Sequence, residues 1–154
     1  MSKTTKATVK PRRRGALEEQ AFIALAVTTD QLARRFEPVL KAADISPTQY
    51  NVLRILRGTP EGLACSEIGN RMISRDPDIT RLLSRLEKRG LVSRCRETKD
   101  RRIVLTRITA AGLALLAQLD APLLETHHLL LGHLGPERLK TLLGLLDEAR
   151  RLGV

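Results

Sequence analysis

The sequence predicts a mainly α-helical protein that carries one small β-hairpin. Through most of its 154 residues, apolar side chains recur every three or four positions, which is the spacing of amphipathic helices. Two short β-rich runs, residues 91–96 and 102–107, lie on either side of a charged loop and predict the hairpin. The chain is long enough to form one globular domain, and its content of 42% apolar and 29% charged residues is typical of a globular protein.

The first helix is predicted over residues 16–43. Its apolar positions step by three or four residues, and Glu18 and Glu19 occupy the first turn, where the helix dipole favours negative charge. The residues before it, 1–15, contain six Lys or Arg residues and no acidic residue, with too little apolar surface to fold alone. We expect a disordered basic arm that is either a phosphate-binding tail or a solvated terminus.

Two short helices come next. Residues 46–49 are typical of a helix start, with serine as the N-cap, proline in the first turn and glutamine closing a capping box. This helix ends before the loop of residues 58–62, which is rich in glycine and proline. A third helix is predicted over residues 66–72, because Ile68 and Met72 lie four residues apart.

The fourth helix has two distinct sides. Asp76 is predicted as its N-cap, Pro77 as its first helical residue and Gly90 as the glycine that follows its end. The apolar side, which we expect to be buried, consists of Ile79, Leu82, Leu83 and Leu86. The opposite side presents Thr80, Arg81, Ser84 and Arg85. Such a helix, followed by a hairpin with a basic tip, predicts a winged helix-turn-helix at about residues 46–108.

Two terminal helices follow the hairpin. Thr109 is predicted to cap a long helix that runs to about residue 134, and Gly135 and Pro136 begin the last helix. The last helix is expected to bury four leucines, namely Leu139, Leu142, Leu143 and Leu146.

These two helices contain more leucine than a small domain needs for its own core. We therefore expect the helices at the two ends of the chain, residues 16–43 and 109–152, to form a homodimer interface. The whole of residues 16–154 is then one domain, composed of the winged helix-turn-helix and its dimerisation helices.

The charge balance favours a polyanionic partner. The chain has 27 Lys and Arg residues against 17 Asp and Glu residues, a formal net charge of +10. Aromatic residues make up only 2%, which argues against recognition of single strands or RNA by base stacking. The sequence has no apolar run near the ~20 residues of a membrane helix and no nucleotide-binding or nucleophile motif. We therefore expect neither a membrane protein nor an enzyme.

The predicted partner is double-stranded DNA. The residues expected to contact it lie before the fourth helix, on its exposed side and at the hairpin tip: Ser74, Arg75, Asp78, Thr80, Arg81, Ser84, Arg85, Lys88, Lys99 and Arg101. We expect Arg81 to donate two hydrogen bonds to a guanine, and Arg101 to lie in or over the minor groove. Asp78 either favours the helix dipole or accepts a hydrogen bond from a cytosine.

A series of short motifs occurs in a fixed order between residues 45 and 112. They are Thr48-Gln49 leading into Val52-Leu53, then Ser66-Glu67-Ile68, Thr80-Arg81-Leu82, Arg85-Leu86-Glu87, Gly90-Leu91-Val92 with Arg94 two residues on, Asp100-Arg101-Arg102 and Ile108-Thr109-Ala110-Ala111-Gly112. With these motifs the chain resembles the MarR family of transcriptional regulators. The resemblance implies a homodimeric repressor of a palindromic site, which in many members is released by a small anionic phenolic compound or an oxidant.

The resemblance also implies roles for individual residues. Asp100 and Arg102 are expected to pair and to brace the wing, which is the name given to the hairpin in this fold. An effector pocket bordered by the first, second and fifth helices implicates Arg35, Phe36 and Tyr50 in binding a small anionic aromatic compound. The third helix of the family starts with Thr or Ser at the position of Ala64, so here Cys65 or Ser66 is expected to supply the cap.

Three alternatives remain open. A non-specific architectural DNA-binding protein would bind any duplex with similar affinity. A thiol-oxidation sensor would use Cys65, at a helix start, or Cys95, between two arginines. A metal sensor would use His127, His128 and His133, but their spacing does not fit two ligands on one helix face, so we assign no metal or cofactor. The two cysteines lack a redox-pair spacing, which predicts a cytoplasmic protein.

Overall fold

The chain folds mainly into helices, with a small sheet near its middle. The structure is a computed structural model that describes residues 16–74, 76–97, 100 and 102–151. The elements in those residues are, in order, α1 (Leu17–Ala42), α2 (Pro47–Arg57), β1 (Leu63–Ala64), α3 (Cys65–Arg71), α4 (Ile79–Lys88), β2 (Val92–Arg96), β3 (Val104–Ile108), α5 (Ala110–Leu131), a 3-10 helix (Gly132–Leu134) and α6 (Gly135–Arg150). The predicted fold class is confirmed. The basic arm predicted for residues 1–15 lies outside the described residues.

The sheet has three antiparallel strands in the order β1-β3-β2, one strand more than predicted. β2 and β3 form the expected hairpin, in register from Val92 opposite Ile108. β1 pairs with the other edge of β3 through Leu63 and Thr106. Gly62 leads into β1 with a φ of +90°, and a Cβ there would lie 3.0 Å from the Thr106 carbonyl oxygen. β1 has only two residues, so it has no alternating pattern by which the sequence could reveal it.

Several helix ends form as predicted, among them the start of α2 and the end of α4. At the start of α2, Ser46 Oγ accepts a hydrogen bond from the Gln49 N–H, and Gln49 Oε1 accepts one from the Ser46 N–H, each at 3.1 Å. At the end of α4, Gly90 has a φ of +70° and donates its N–H to the Glu87 carbonyl at 2.9 Å. Both arrangements use residues close in sequence, which is why the sequence predicts them.

The start of α3 differs from the prediction. Its N-cap is Ala64, which has no side-chain acceptor, so neither Cys65 nor Ser66 caps the helix. The Glu67 carboxylate instead accepts a hydrogen bond from the Ala64 N–H at 3.1 Å. The prediction was wrong because β1 runs directly into α3, and the pairing of Ala64 with Leu105 determines where the helix begins.

The hydrophobic core is formed by the end of α1 and by α2 to α5. Its buried members lie between Leu40 and Leu123 in the sequence. The most enclosed side chains are Val52, Leu53, Leu56, Ile68, Leu83, Leu86 and Leu116. Burial of each such side chain stabilises the fold by roughly 1.5–3 kcal/mol. The apolar side predicted for α4 is confirmed, because its three leucines are buried and Ile79 packs against them.

The leucines of the last helix stay outside this core in the single chain. α6 has no buried residue, and Leu143 is 60% exposed, so the predicted burial of Leu139, Leu142, Leu143 and Leu146 is wrong for one chain alone. The reason is that the core ends with Leu123, before α6 begins. In α5, Leu129 beyond that point is 77% exposed.

The chain divides into two compact units, residues 1–33 and residues 34–154. The first unit contains the first half of α1, in which Leu17, Phe22 and Ile23 are exposed. The second unit contains the core, the sheet and the remaining helices. Among the helices described, none combines the length and the apolar character that crossing a membrane requires.

Candidate nucleic-acid interface

Helix α4 begins two residues later than predicted. Its first residue is Ile79 and its N-cap is Asp78, whose Oδ1 accepts a hydrogen bond from the Arg81 N–H at 3.3 Å. Asp76, the predicted cap, accepts one from the Asp78 N–H at 2.8 Å and so forms a turn before the helix. The predictions for Asp76 and Pro77 were wrong because an Asp side chain stabilises such a turn as readily as a helix start.

The exposed side of α4 is strongly basic. Arg81, Arg85 and Lys88 are spaced by four and three residues, so they lie on one side of the helix, opposite its buried leucines. No ion pair within the described part of the chain involves any of these three side chains. Thr80 is exposed beside them. This side of α4 can therefore donate hydrogen bonds to phosphates or to base edges.

Ser84 is oriented differently, because its hydroxyl is engaged within the protein. Ser84 Oγ accepts a hydrogen bond from Arg94 Nη2 at 3.2 Å. Arg94 also donates to Glu87 Oε2, from Nε at 2.8 Å and from Nη2 at 2.6 Å. The hydrogen bonds from Arg94 hold the pKa of the Glu87 carboxyl below its ordinary value. The sequence did not predict these contacts, because Arg94 and Ser84 lie ten residues apart on different elements.

Asn51 fixes the turn that precedes α4. It lies in α2, is only 5% exposed, and its Oδ1 accepts a hydrogen bond from the Ile73 N–H at 2.9 Å. Ser74, a predicted DNA contact, follows directly and is exposed, while Arg75 lies outside the described residues. The only signal for Asn51 in the sequence is a polar residue within an apolar run, since buried polar groups require a partner.

The wing is the hairpin of β2 and β3. Near its tip, Arg102 donates from Nε to Asp100 Oδ1 and from Nη2 to Asp100 Oδ2, both at 3.1 Å. The side-chain hydrogen bond from Arg102 holds the pKa of Asp100 below its ordinary value. The two residues therefore pair, while their bracing of the wing stays a prediction. Lys99 and Arg101, which were predicted to contact DNA, lie outside the described residues.

The residues predicted for an effector pocket have different surroundings. Phe36 and Tyr50 pack against the core, and the Phe36 ring lies 4.6 Å from the His127 ring at an angle of 51°. Arg35 is exposed to solvent. None of these predicted residues lines the open cavity of about 650 Å³ at the end of α1, the start of α2 and the end of α4. The charged residues around that cavity are Glu37, Lys41, Asp44, Arg85, Lys88 and Arg89.

The two cysteines are free thiols in separate surroundings. Cys65 is half-buried, with its Sγ 3.9 Å from Thr80 Oγ1. Cys95 is exposed, and its Sγ accepts a hydrogen bond from Arg107 Nη1 at 3.5 Å. As far as the structure describes the chain, no three His, Cys, Asp or Glu side chains come together as a metal site requires.

Comparison with known proteins identifies the family. The family model for the MarR family matches residues 45–104. The transcriptional regulator FarR of Neisseria gonorrhoeae is 30% identical over 132 residues, which cover 84% of this chain and 88% of FarR. The chain belongs to the MarR family. Its fold is accordingly a winged helix-turn-helix, with α3 and α4 as the helix-turn-helix and the β2–β3 hairpin as the wing.

Several solved structures resemble this MarR-family chain over nearly their whole length. A MarR transcription factor from Planctomyces limnophilus is 38% identical, with a TM-score of 0.66, covering 88% of this chain and 98% of its own. The transcriptional repressor CouR, bound to a 23-mer DNA duplex, is 29% identical, with a TM-score of 0.78 and coverages of 89% and 96%. NadR in complex with 4-hydroxyphenylacetate is 26% identical, with a TM-score of 0.68 and coverages of 94% and 99%.

Proposed function

We propose that this chain is a cytoplasmic, homodimeric transcriptional repressor that binds a palindromic operator in duplex DNA. The observation that carries the proposal is the unpaired basic side of α4, formed by Arg81, Arg85 and Lys88. Among the described residues these three cations have no carboxylate partner, and on the recognition helix of a winged helix-turn-helix such cations suit base edges and phosphates. CouR, which shares this fold, is a repressor whose structure contains a DNA duplex.

In the proposed complex, the N-terminal half of α4 enters the major groove. Arg81 makes a bidentate contact to a guanine, while Arg85 and Lys88 contact a base or phosphates. Ser74, in the turn before the helix, and Thr80 are exposed and are proposed as further contacts. Asp78 acts mainly as the helix cap, since its carboxylate is already bonded to the Arg81 N–H. We further propose that Lys99 and Arg101 extend the contact from the wing.

We propose that a second copy of the chain packs against the leucines that are exposed in a single chain. The dimerisation helices are residues 16–43 and 109–152, and leucines on α5 and α6 that are exposed in one chain would be buried by the partner. A two-fold dimer presents two copies of α4, so we expect an inverted repeat with half-sites about one helical turn apart.

A small anionic aromatic compound is the proposed effector. The support comes from NadR, whose structure contains 4-hydroxyphenylacetate, an aromatic carboxylate. Phe36 and Tyr50 each pack against the core, and Arg35 is exposed on α1 as the proposed partner for an anion. Release of the operator by such a compound, and its reversal by Arg35→Ala, would support this part of the proposal.

The experiment that tests the proposed function is selection of binding sites from random duplex DNA by the purified full chain. It is done at ~150 mM salt, where non-specific binding is weak. Enrichment of one palindrome is the expected result. Tight binding without enrichment would refute the proposal and favour an architectural DNA-binding protein, in which the net charge of +10 is the main source of affinity.

Arg81→Ala then tests whether Arg81 is the residue of α4 that reads a base. We expect a loss of ~1–3 kcal/mol in operator affinity and a relaxed preference at one base pair. The matched control is Arg138→Ala, which removes the same charge from an exposed position on α6. Equal losses on the operator and on random duplex for Arg81→Ala would contradict its role as a base reader.

A further inference from the structure

Arg94 connects the wing to the recognition helix α4. It lies in β2 opposite Thr106 of β3, and its side chain is only 29% exposed. Its Nε and Nη2 atoms both donate to Glu87 Oε2, and Nη2 also donates to Ser84 Oγ. One planar guanidinium therefore contacts two residues that lie one helical turn apart on α4.

Two contacts one turn apart on α4 restrict the rotation of the helix as well as its distance from β2. A single hydrogen bond would leave α4 free to rotate about its axis, whereas Ser84 and Glu87 held together restrict both that rotation and the position of the helix along β2. At 3.6 residues per turn, these two residues lie on the flank of the side that presents Arg81 and Arg85. A small rotation of α4 would therefore change the direction in which the DNA-facing cations point.

We propose that Arg94 is a positioning residue for DNA recognition. By holding Ser84 and Glu87, it sets the rotation of α4 relative to the wing and so decides which side chains of α4 meet the base edges. The inference rests on the proposed function, because it requires a sequence-specific reader. It also gives Ser84 a new role, as part of this internal contact and not as a reader of bases.

The charge of Glu87 supports this role. A carboxylate on a DNA-facing helix repels phosphates, and near the C-terminal end of α4 it is also unfavourable to the helix dipole. Arg94 offsets both effects, because its guanidinium is paired with the Glu87 carboxylate. Removing the carboxylate should therefore strengthen binding to any duplex and at the same time weaken the choice between sequences.

The test compares Arg94→Gln and Glu87→Gln with the matched control Arg96→Gln. Arg96 is exposed, lies two residues along the same strand and loses the same charge, but it makes none of these contacts. Affinities of the purified chain for the selected operator and for random duplex are measured from about 50 to 300 mM salt. Thermal unfolding of each variant shows whether it folds.

We expect Arg94→Gln to lower the ratio of operator to random affinity about tenfold, the loss typical of one misplaced bidentate base contact. Its random-duplex affinity should fall no further than that of Arg96→Gln, whose ratio should stay unchanged. Glu87→Gln should raise random-duplex affinity and still lower the ratio. The double variant Arg94→Gln/Glu87→Gln should lower the ratio no more than Arg94→Gln alone, because both changes break one contact.

Equal losses on operator and random duplex for Arg94→Gln, with a salt slope reduced by about one, would overturn the proposal and make Arg94 a phosphate contact. Should Arg94→Gln fail to fold, Glu87→Gln decides: an unchanged ratio overturns the inference, and a lowered ratio supports it. Failure of the proposed function is seen separately, as a ratio near one for the unaltered chain.

Discussion

Arg57 and Asp120 form a two-pronged contact between α2 and α5, in which Arg57 Nη1 lies 2.9 Å from both carboxylate oxygens of Asp120. The two residues are 63 positions apart in the sequence, and both side chains are partly exposed. The contact connects α2, at the start of the winged helix-turn-helix region, to α5, the long helix proposed for dimerisation. It is thus one of the links through which these two regions are held together.

We expect Asp120→Asn to lower the free energy of unfolding by about 0.2–1 kcal/mol, because a solvent-screened pair contributes little. Urea unfolding of Asp120→Asn, Arg57→Gln and the double variant gives the coupling energy directly. Glu137→Gln is the control, since it breaks an exposed pair with Lys140 within α6. A coupling energy of zero for Arg57 and Asp120 would show that the contact does not stabilise the fold.

Gly112→Ala should destabilise the fold strongly. Gly112 lies in the first turn of α5, where a Cβ would collide with the Leu91 carbonyl oxygen and lie 2.7 Å from Ile108 Cγ1. The Leu91 carbonyl cannot easily move, because it accepts a hydrogen bond from the Thr109 N–H at 3.1 Å. The expected loss is about 1–3 kcal/mol, typical of overpacking.

The control for this change is Gly144→Ala in α6. A Cβ at Gly144 has no neighbour within 4 Å among the described residues, and the site is helical. Alanine there should raise the unfolding free energy by roughly 0.5–1 kcal/mol, because it restricts the unfolded chain and favours helix. Similar unfolding midpoints for the two variants would contradict the close packing inferred at Gly112.

Asn51→Ala should loosen the turn before α4. The variant removes the acceptor for the Ile73 N–H, and we expect a loss of about 1–3 kcal/mol in the free energy of unfolding. Hydrogen exchange at the Ile73 amide, in the turn after α3, should become faster, while exchange at the amides of α3 should change less. Asn70→Ala, an exposed change on α3, serves as the control and should leave that amide unaffected. An unchanged exchange rate at the Ile73 amide in Asn51→Ala would refute the role of the buried Asn51 side chain.

Acid should remove the stabilisation that Glu87 provides. Arg94 lowers the pKa of Glu87 in the folded state, so its contribution is complete above the unfolded-state pKa and is lost as pH falls through the folded-state pKa. We expect Glu87→Gln to be less stable than the unaltered chain at pH 7 and to approach it as the pH falls below the ordinary pKa of a glutamate side chain. Urea unfolding across this range measures the difference, with the exposed Glu125→Gln as control. If the difference in unfolding free energy between Glu87→Gln and the unaltered chain does not shrink on acidification, Arg94 is not the cause of the lowered pKa of Glu87.

Local chemistry explains which helix ends the sequence predicts. The capping box of α2 and the glycine after α4 involve residues within a few positions of each other, so both are predictable without the fold. The start of α4 was not, because Asp76 and Asp78 each satisfy the rules for a cap and only the folded turn selects Asp78. The start of α3 depends on the pairing of Ala64, in β1, with Leu105 of β3, some forty residues later in the chain.

The sequence by itself determined the fold class, the two sides of α4 and the positions of Arg81, Arg85 and Lys88 on the exposed one. These features follow from helical periodicity, which depends only on near neighbours. The tertiary structure decided that Ser84 bonds to Arg94, that Asn51 holds Ile73, and that α6 has no core to enter in a single chain. Such contacts join side chains distant in sequence, and their partners are selected by packing and by the need of buried polar groups for hydrogen bonds.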